Sequence, residues 1–239
     1  MKSEARILKT DTETLSYTLE RKTVRRINLR VRRDGSIGVS APARVSLAVI
    51  ERFLLEHADW ILAARARVEA RMGDVLTLAD GEVLPIGGVS HTVEGVKSPK
   101  QGAILRDGRL LLQLRDPTDA NERRRVFDRF VKAEATRLLE ARLRALYPLF
   151  ADHVTAFPSL TVRQMKSRWG SCTATKNHVT LNTNLLFVPP YLCDYVILHE
   201  LCHFKHRDHS PAFYTHLSRF CPQYAAARQA LRAFPIPQF

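Results

Sequence analysis

The chain has 239 residues, of which 45% are hydrophobic and 26% charged, a composition typical of soluble globular proteins. Its longest apolar runs, such as "LLLQL" and "YVILHELC", are too short to cross a bilayer, and its start has no apolar signal-peptide segment, so we expect a cytoplasmic protein without a membrane span. The formal net charge of +13 favours anionic partners, with nucleic acid first among them.

The first half of the chain is rich in predicted strands. Alternating apolar and polar residues between positions 15 and 40 predict a β-hairpin that turns at Asp34-Gly35. Ser46 is the predicted N-cap of an amphipathic helix that follows. Residues 73 to 115 predict further hairpins, the second of which turns at Asp107-Gly108.

The second half is mixed. Apolar residues at three- and four-residue steps predict a helix over 119 to 147. "SLTVRQM" and "HVTLNTNLLF" predict two strands, with "KSRWGSCTATKN" as a loop between them. Pro189-Pro190 start a helix that continues into a run of histidines, and a last helix covers 223 to 233. We therefore predict an α+β fold with a β-rich region over 1–117 that includes one helix, and a second domain over 118–239.

The four cysteines, at 172, 193, 202 and 221, form neither a C-x-x-C pair nor a disulfide framework. We interpret them as free thiols in a reducing compartment. Their spacing does not support a cysteine-based zinc ribbon.

The helix in the second half carries the sequence His199-Glu200-Leu201-Cys202-His203. Histidines four residues apart lie on one helix face, where both imidazoles can bind one Zn²⁺. Glu200 then lies where a carboxylate can take a proton from a zinc-activated water. The alternative, two buried structural histidines, leaves two imidazoles and a carboxylate without visible partners. The spacing therefore indicates a catalytic zinc site.

A third ligand must come from outside this pentapeptide, and His206 and His209 are the candidates. On a continuing helix His206 lies roughly 10.5 Å beyond His199 along the axis, too far to share its ion. Ser210-Pro211 predict the start of a new helix, so the chain must turn just before them. That turn can return His209 to the metal, and we predict His199, His203 and His209 as the ligands. The other histidines, at 57, 91, 153 and 216, have no ligand spacing.

The segment from 165 to 214 resembles the YgjP-like metallopeptidases, which are related to the SprT-like and WLM zincin group. The matching motifs are R-W-G-S-C at 168–172, N-x-N at 182–184, "VILHELCH" at 196–203 and H-S-x-x-F at 209–213. The resemblance implies a zincin-like domain built on a central H-E-x-x-H helix, with zinc on the same three histidines and Glu200 as catalytic base.

Several residues around this motif have two interpretations. Trp169 is a packing anchor or a substrate platform, and packing is favoured. Cys172 has no neighbouring base in sequence, which argues against a nucleophile. We interpret "HVTLNTNL" as the edge strand that holds an extended peptide. Oxyanion stabilisation is open among Arg168, His178 and Tyr214. His206 is a substrate or near-site contact, or is simply solvated.

These observations predict a zinc-dependent metallopeptidase that hydrolyses protein or peptide substrates. A second hypothesis is an SprT-like protease that acts on proteins bound to DNA. In that case a basic surface would bind nucleic acid, formed by Arg25, Arg26, Arg30, Arg32 and Arg33, although a solvated hairpin face is the simpler interpretation of this cluster. A third, a non-catalytic zinc module that binds nucleic acid, gives Glu200 no purpose.

Overall fold

The structure, a computed structural model, describes residues 3–10, 14–32, 35–69, 72–75, 77–154, 156–165, 167–234 and 236–238. The chain divides into two compact units, Met1–Met72 and Gly73–Phe239. The expected boundary after residue 117 falls inside the second unit instead, because the strands before it share one hydrophobic core with the helices after it.

The first unit is a four-stranded sheet followed by two helices. Its elements are β1 (Ser3–Lys9), β2 (Thr14–Arg21), β3 (Asn28–Val31), β4 (Ile37–Ala41), α1 (Leu47–Glu56) and α2 (Ala58–Glu69). The strand order is β1-β2-β4-β3, with β2 and β4 parallel and the other neighbours antiparallel. The predicted hairpin is therefore β3–β4, although Asp34 of its turn lies outside the described residues.

Two helices form where the sequence predicts one. Ser46 caps α1 as predicted, since its hydroxyl accepts a hydrogen bond from the Val49 backbone N–H at 3.4 Å. The helix ends at His57, whose Nδ1 lies 2.8 Å from the Phe53 carbonyl oxygen, and α2 begins at the next residue. One face of the sheet packs on these helices in a core that includes Leu19, Val39 and Ile50.

The remaining helices and strands form the second unit. They are β5 (Met72–Val75), β6 (Val83–Ile86), β7 (Val89–Lys97), β8 (Gly102–Arg106), β9 (Arg109–Leu114), α3 (Ala120–Leu146), β10 (Ser159–Arg163), β11 (Gly170–Thr173), β12 (His178–Asn182), α4 (Pro190–Cys202), α5 (Pro211–Phe220), α6 (Tyr224–Ala233) and β13 (Ile236–Gln238). Short 3₁₀ helices cover Tyr147–Phe150, Ala174–Lys176 and Thr183–Leu186. The α+β class and the predicted helices of this half are confirmed.

The second unit contains a sheet with the same connectivity as the first unit's sheet. Its order is β6-β7-β9-β8, again two antiparallel hairpins joined by a parallel pair in the middle. The predicted turn at Asp107-Gly108 connects β8 to β9. Asp107 has a φ of 49° and Gly108 one of 72°, the left-handed conformations that a two-residue hairpin turn requires.

A second, three-stranded sheet has the order β10-β12-β11, while β5 pairs with β13. Two expectations from the sequence are wrong here. The strand expected at an edge, β12, lies in the centre of the sheet, parallel to β10 and antiparallel to β11. The edge strand β11 comes from the segment expected to be a loop. Among the described residues, no helix combines the length and apolar character that crossing a bilayer requires.

Candidate active site

The helix α4 carries the site and is buried on almost all sides. Nine of its residues are buried: Leu192, Cys193, Tyr195, Val196, Ile197, Leu198, Glu200, Leu201 and Cys202. Its start packs beside the β6–β7 turn, where a side chain on Gly88 would lie 2.5 Å from the Pro190 Cδ atom. An ion pair from Arg142 to Asp194 (2.6 Å) joins its first half to α3. The position of α4 is thus fixed by packing on several elements.

The three predicted ligands come together at the C-terminal end of α4. One ring nitrogen from each of His199, His203 and His209 lies within 4.8 Å of the others. The closest pair is His199 Nε2 and His209 Nε2, 3.0 Å apart. His203 is the C-cap of α4, and the chain turns over residues 204–208 before α5 begins at Pro211 with Ser210 as its N-cap residue. This turn brings His209 back to the helix, as the sequence predicts.

Two of these histidines are kept neutral by their surroundings. Burial, reinforced by the neighbouring imidazoles, lowers the pKa of His199 to about 3. Burial also lowers the pKa of His203, whose Nδ1 lies 2.9 Å from the His206 carbonyl oxygen and donates to it when it carries the proton. That hydrogen bond leaves the lone pair of His203 on Nε2. Neutral rings with an available lone pair are the form in which histidine binds metals.

The aromatic ring of Phe213 packs against all three histidine rings of the triad. Its ring centroid lies 4.9 Å from that of His199, 4.8 Å from that of His203 and 5.0 Å from that of His209. The side chain is fully buried. The sequence gives this residue no role of its own, although it is the last residue of the H-S-x-x-F motif. It restricts the three rings to a narrow range of orientations.

Glu200 lies next to the triad with its side chain against β11. Burial raises the pKa of its carboxyl group to about 8, and the guanidinium of Arg168 acts in the opposite direction. A methyl group on Gly170 would lie 2.7 Å from Glu200 Oε1 and 2.8 Å from its Cγ atom. Only glycine leaves space for the carboxyl group here. Nothing in the local sequence pattern marks the close approach of Gly170 to Glu200.

β11 presents a free edge beside Glu200. The Asn182 backbone N–H donates to the Trp169 carbonyl at 2.9 Å, which makes this a hydrogen-bonded pair. Antiparallel pairs alternate, so the backbone N–H and C=O groups of Gly170 and Cys172 point away from β12. Within the part of the chain that the structure describes, no backbone hydrogen bond uses them.

Asn182 fixes the segment that leads into β11. Its Nδ2 donates to the Met165 carbonyl at 2.8 Å and to the Arg168 carbonyl at 2.7 Å, and its Oδ1 accepts from the Asn184 backbone N–H at 3.1 Å. The side chain is almost completely buried and all its hydrogen-bonding capacity but one lone pair is used. This geometry agrees with a loop-fixing role for the N-x-N motif.

The three candidate oxyanion donors lie in different places. Arg168 is exposed and close enough to Glu200 to affect its pKa. Tyr214 stacks on His209 with ring centroids 6.3 Å apart. His178 pairs with Thr173 at the opposite end of β11, and its two ring nitrogens lie 2.8 Å from Ser159 Oγ and 3.3 Å from Thr180 Oγ1. The geometry favours Arg168 or Tyr214 over His178.

The remaining members of the R-W-G-S-C motif have structural roles. Trp169 packs against the core of the second unit. Burial, with Glu200 nearby, raises the pKa of the Cys172 thiol to about 12, so it stays protonated at neutral pH. A Cys172 nucleophile is therefore not supported. All four cysteines are free thiols, as expected.

The donor set fits a borderline divalent cation. Three neutral imidazoles suit zinc, copper or nickel, whereas magnesium and calcium require oxygen ligands. Zn–N bonds of about 2.0–2.1 Å in a tetrahedral site place ligand nitrogens roughly 3.3 Å apart. The His199–His209 nitrogen separation of 3.0 Å is close to this value, and all three nitrogens lie within 4.8 Å of one another, so rotations of the rings suffice to bind an ion. With the adjacent buried carboxyl group, the arrangement is that of a metal-dependent hydrolase.

Comparison with known proteins identifies the family. The YgjP-like, metallopeptidase domain family matches residues 25–234, and the chain belongs to this family. Curated proteins give no significant match. Two solved structures are similar over part of the chain, the metallopeptidase zymogens jannalysin of Methanocaldococcus jannaschii (18% identity, TM-score 0.35) and abylysin of Pyrococcus abyssi (19%, 0.33). Each match covers 39% of this chain and 93% of the other.

We expect Asn182→Ala to destabilise the protein by about 1–3 kcal/mol, because the Met165 and Arg168 carbonyl groups lose the donor that the buried Asn182 side chain supplies. The free energy of unfolding from urea denaturation measures this effect. Asn184→Ala is the matched control, since Asn184 contributes its backbone N–H to the interaction. Equal destabilisation of the two variants would contradict the assigned role of the Asn182 side chain.

The raised pKa of Glu200 predicts a pH-dependent stability of the metal-free protein. Between pH 4.5 and about 8 the folded state retains a proton that the unfolded state releases, so stability falls as pH rises through this range. Glu200→Gln removes this dependence. The free energy of unfolding is measured by denaturation after the metal has been removed with a chelator. Between pH 5 and 8 the variant should become more stable relative to the wild type by several kcal/mol. A stability difference between Glu200→Gln and the wild type that stays constant over this pH range would contradict the burial of the Glu200 carboxyl group.

Proposed function

We propose that the protein is a zinc-dependent peptidase in which His199, His203 and His209 hold the metal and Glu200 is the general base. The convergence of three imidazole nitrogens beside a buried carboxyl group is the observation that carries this proposal. When bound, zinc would act as a Lewis acid that polarises the scissile carbonyl and acidifies the attacking water.

Glu200 would move the proton in this reaction. Its pKa near 8 in the metal-free site falls when a divalent cation binds nearby, because the positive charge stabilises the carboxylate. The carboxylate can then accept a proton from the attacking water and transfer it to the leaving amine. The Gly170 backbone determines where the carboxyl group stands, since any larger residue would displace it.

The edge strand β11 is the proposed binding site for an extended peptide. The outward-facing backbone groups of Gly170 and Cys172 can pair with a substrate strand, which adds to the sheet beside β11. Main-chain pairing of this kind places the peptide next to Glu200 without requiring a particular side chain. Arg168 or Tyr214 would then supply a donor to the developing oxyanion.

The first test is the metal content of the purified protein and of two variants. We expect about one tightly bound zinc per chain in the wild type, greatly weakened binding in His209→Ala, and full retention in Glu200→Gln. Zinc is measured by mass spectrometry after dialysis, and hydrolysis is measured on unfolded casein. Glu200→Gln should lose activity while it keeps zinc. Undiminished zinc in His209→Ala would assign the third ligand elsewhere, and a fully active Glu200→Gln would exclude that residue as the base.

A second candidate function, an SprT-like protease that acts on DNA-bound proteins, is supported by the charge of the first unit. Residues 1–72 hold 15 Lys and Arg against 9 Asp and Glu, while residues 73–239 hold 22 against 15, so positive charge is denser in the first unit. Arg25, Arg26, Arg30 and Arg32 are exposed on and around the edge strand β3. Arg33 lies outside the described residues. We propose duplex DNA as the ligand of this surface.

Charge reversal tests this surface. We expect the double variant Arg26→Glu/Arg30→Glu to weaken duplex binding and to reduce the slope of log K against log salt by about 0.9 for each phosphate that the protein no longer neutralises. Fluorescence anisotropy at several salt concentrations gives this slope. Arg124→Glu/Arg144→Glu on α3 changes the net charge equally and is the control. Equal effects of the two double variants would show only a general charge effect.

A further inference from the structure

A second group of histidines lies beyond the end of α4, separate from the triad. The His216 ring centroid lies 5.2 Å from that of His153 and 5.3 Å from that of His206. Ring centroids within the triad lie 4.9–5.0 Å apart, so the contacts of His216 with these two rings are only slightly longer. Sequence spacing gives no indication of this second group, because its members come from three separate segments of the chain.

His216 has an unsatisfied buried nitrogen. The residue is only 5% exposed, and its Nε2 has no hydrogen-bond partner in the described part of the chain. The aromatic rings of Phe150 and Phe220 pack edge-on against its imidazole, with centroids 5.9 and 5.3 Å away, and hold it in place. A buried polar atom without a partner costs free energy and points to a missing ligand.

A cation already lies at this group. The ammonium nitrogen of Lys205 is 3.3 Å from His153 Nε2, which therefore presents its lone pair to a positive charge. Lys205 is exposed, and a flexible lysine side chain can move away when a metal ion takes its place. His153 and His206 are only half-buried, so their rings can rotate toward such an ion.

We propose that His153, His206 and His216 form a second binding site for zinc or a similar borderline cation. Imidazole nitrogens select such ions over magnesium and calcium. The triad alone, among the described residues, has three ligand atoms already within 4.8 Å of one another. The second site must therefore rearrange and displace Lys205, and it binds the ion more weakly than the triad.

The second site shares its loop with the first. His206 contributes its ring to the second group, and its backbone carbonyl lies 2.9 Å from His203 Nδ1. An ion on His206 would therefore restrain the segment that orients one of the triad's rings. Binding of the second ion does not depend on the proposed peptidase activity, and it can be measured without it.

The test is a zinc titration in the double variant His199→Ala/His209→Ala, which removes two ligands of the triad. We expect this protein to bind one zinc ion, and to lose about tenfold or more in affinity when His216→Ala or His153→Ala is added. Adding Lys205→Met should strengthen binding. His57→Ala is the control, because His57 lies in the first unit and its Nδ1 contacts the Phe53 carbonyl oxygen.

Isothermal titration calorimetry gives the number of ions and their affinity, and circular dichroism shows whether each variant is folded. His153→Ala keeps the test decisive if His216→Ala does not fold. No zinc binding in the double variant, or equal binding after His153→Ala and His57→Ala, would overturn the proposal. The test protein lacks two of the three triad ligands and no activity is measured, so failure of the proposed peptidase and failure of the second site are distinguishable.

Discussion

Apolar neighbours bury α4 along most of its length, and this packing determines where the site can form. A helix surrounded by apolar neighbours carries polar side chains only where they find a partner or lie at an end. On α4 these places are Asp194, which pairs with Arg142, and the C-terminal end. His199, Glu200 and His203 occupy this end. The partners of α4 therefore serve the site indirectly, since α3, the β6–β7 turn and β11 decide where the helix ends and what its last side chains contact.

Burial also sets the protonation states in the site. The low-dielectric surroundings disfavour charged forms, which keeps His199 neutral and gives the Glu200 carboxyl group a raised pKa. In the metal-free protein the raised pKa of Glu200 costs stability above pH 4.5, and the lowered pKa of His199 costs stability below pH 6.5. A divalent cation reverses part of this cost, because neutral imidazoles are its ligands and an adjacent carboxylate is favoured by its charge. The same burial that weakens the metal-free protein thus makes the site selective for a bound cation.

Local patterns predicted the parts of the fold that depend on a few neighbouring residues. The caps and prolines marked the helices, and the four-residue spacing placed His199 and His203 on one face. What the sequence did not indicate depends on contacts between distant segments. β11 has only four residues, which do not alternate between apolar and polar. The parallel pair in each four-stranded sheet joins two separate hairpins. The close approach of Gly170 to Glu200 exists only because β11 packs on α4. For the same reason, the division of the chain after Met72 has no mark in the local sequence.

One turn of the chain places the four histidines between 199 and 209 in two different groups. Had α4 continued, His206 and His203 would have lain on one side and His209 farther along the axis. The chain instead leaves the helix at His203, which returns His209 to the triad and places the His206 ring against His216. The His206 carbonyl remains beside His203 Nδ1. A single change of backbone direction therefore both completes the first histidine group and creates the second, and couples them through one residue.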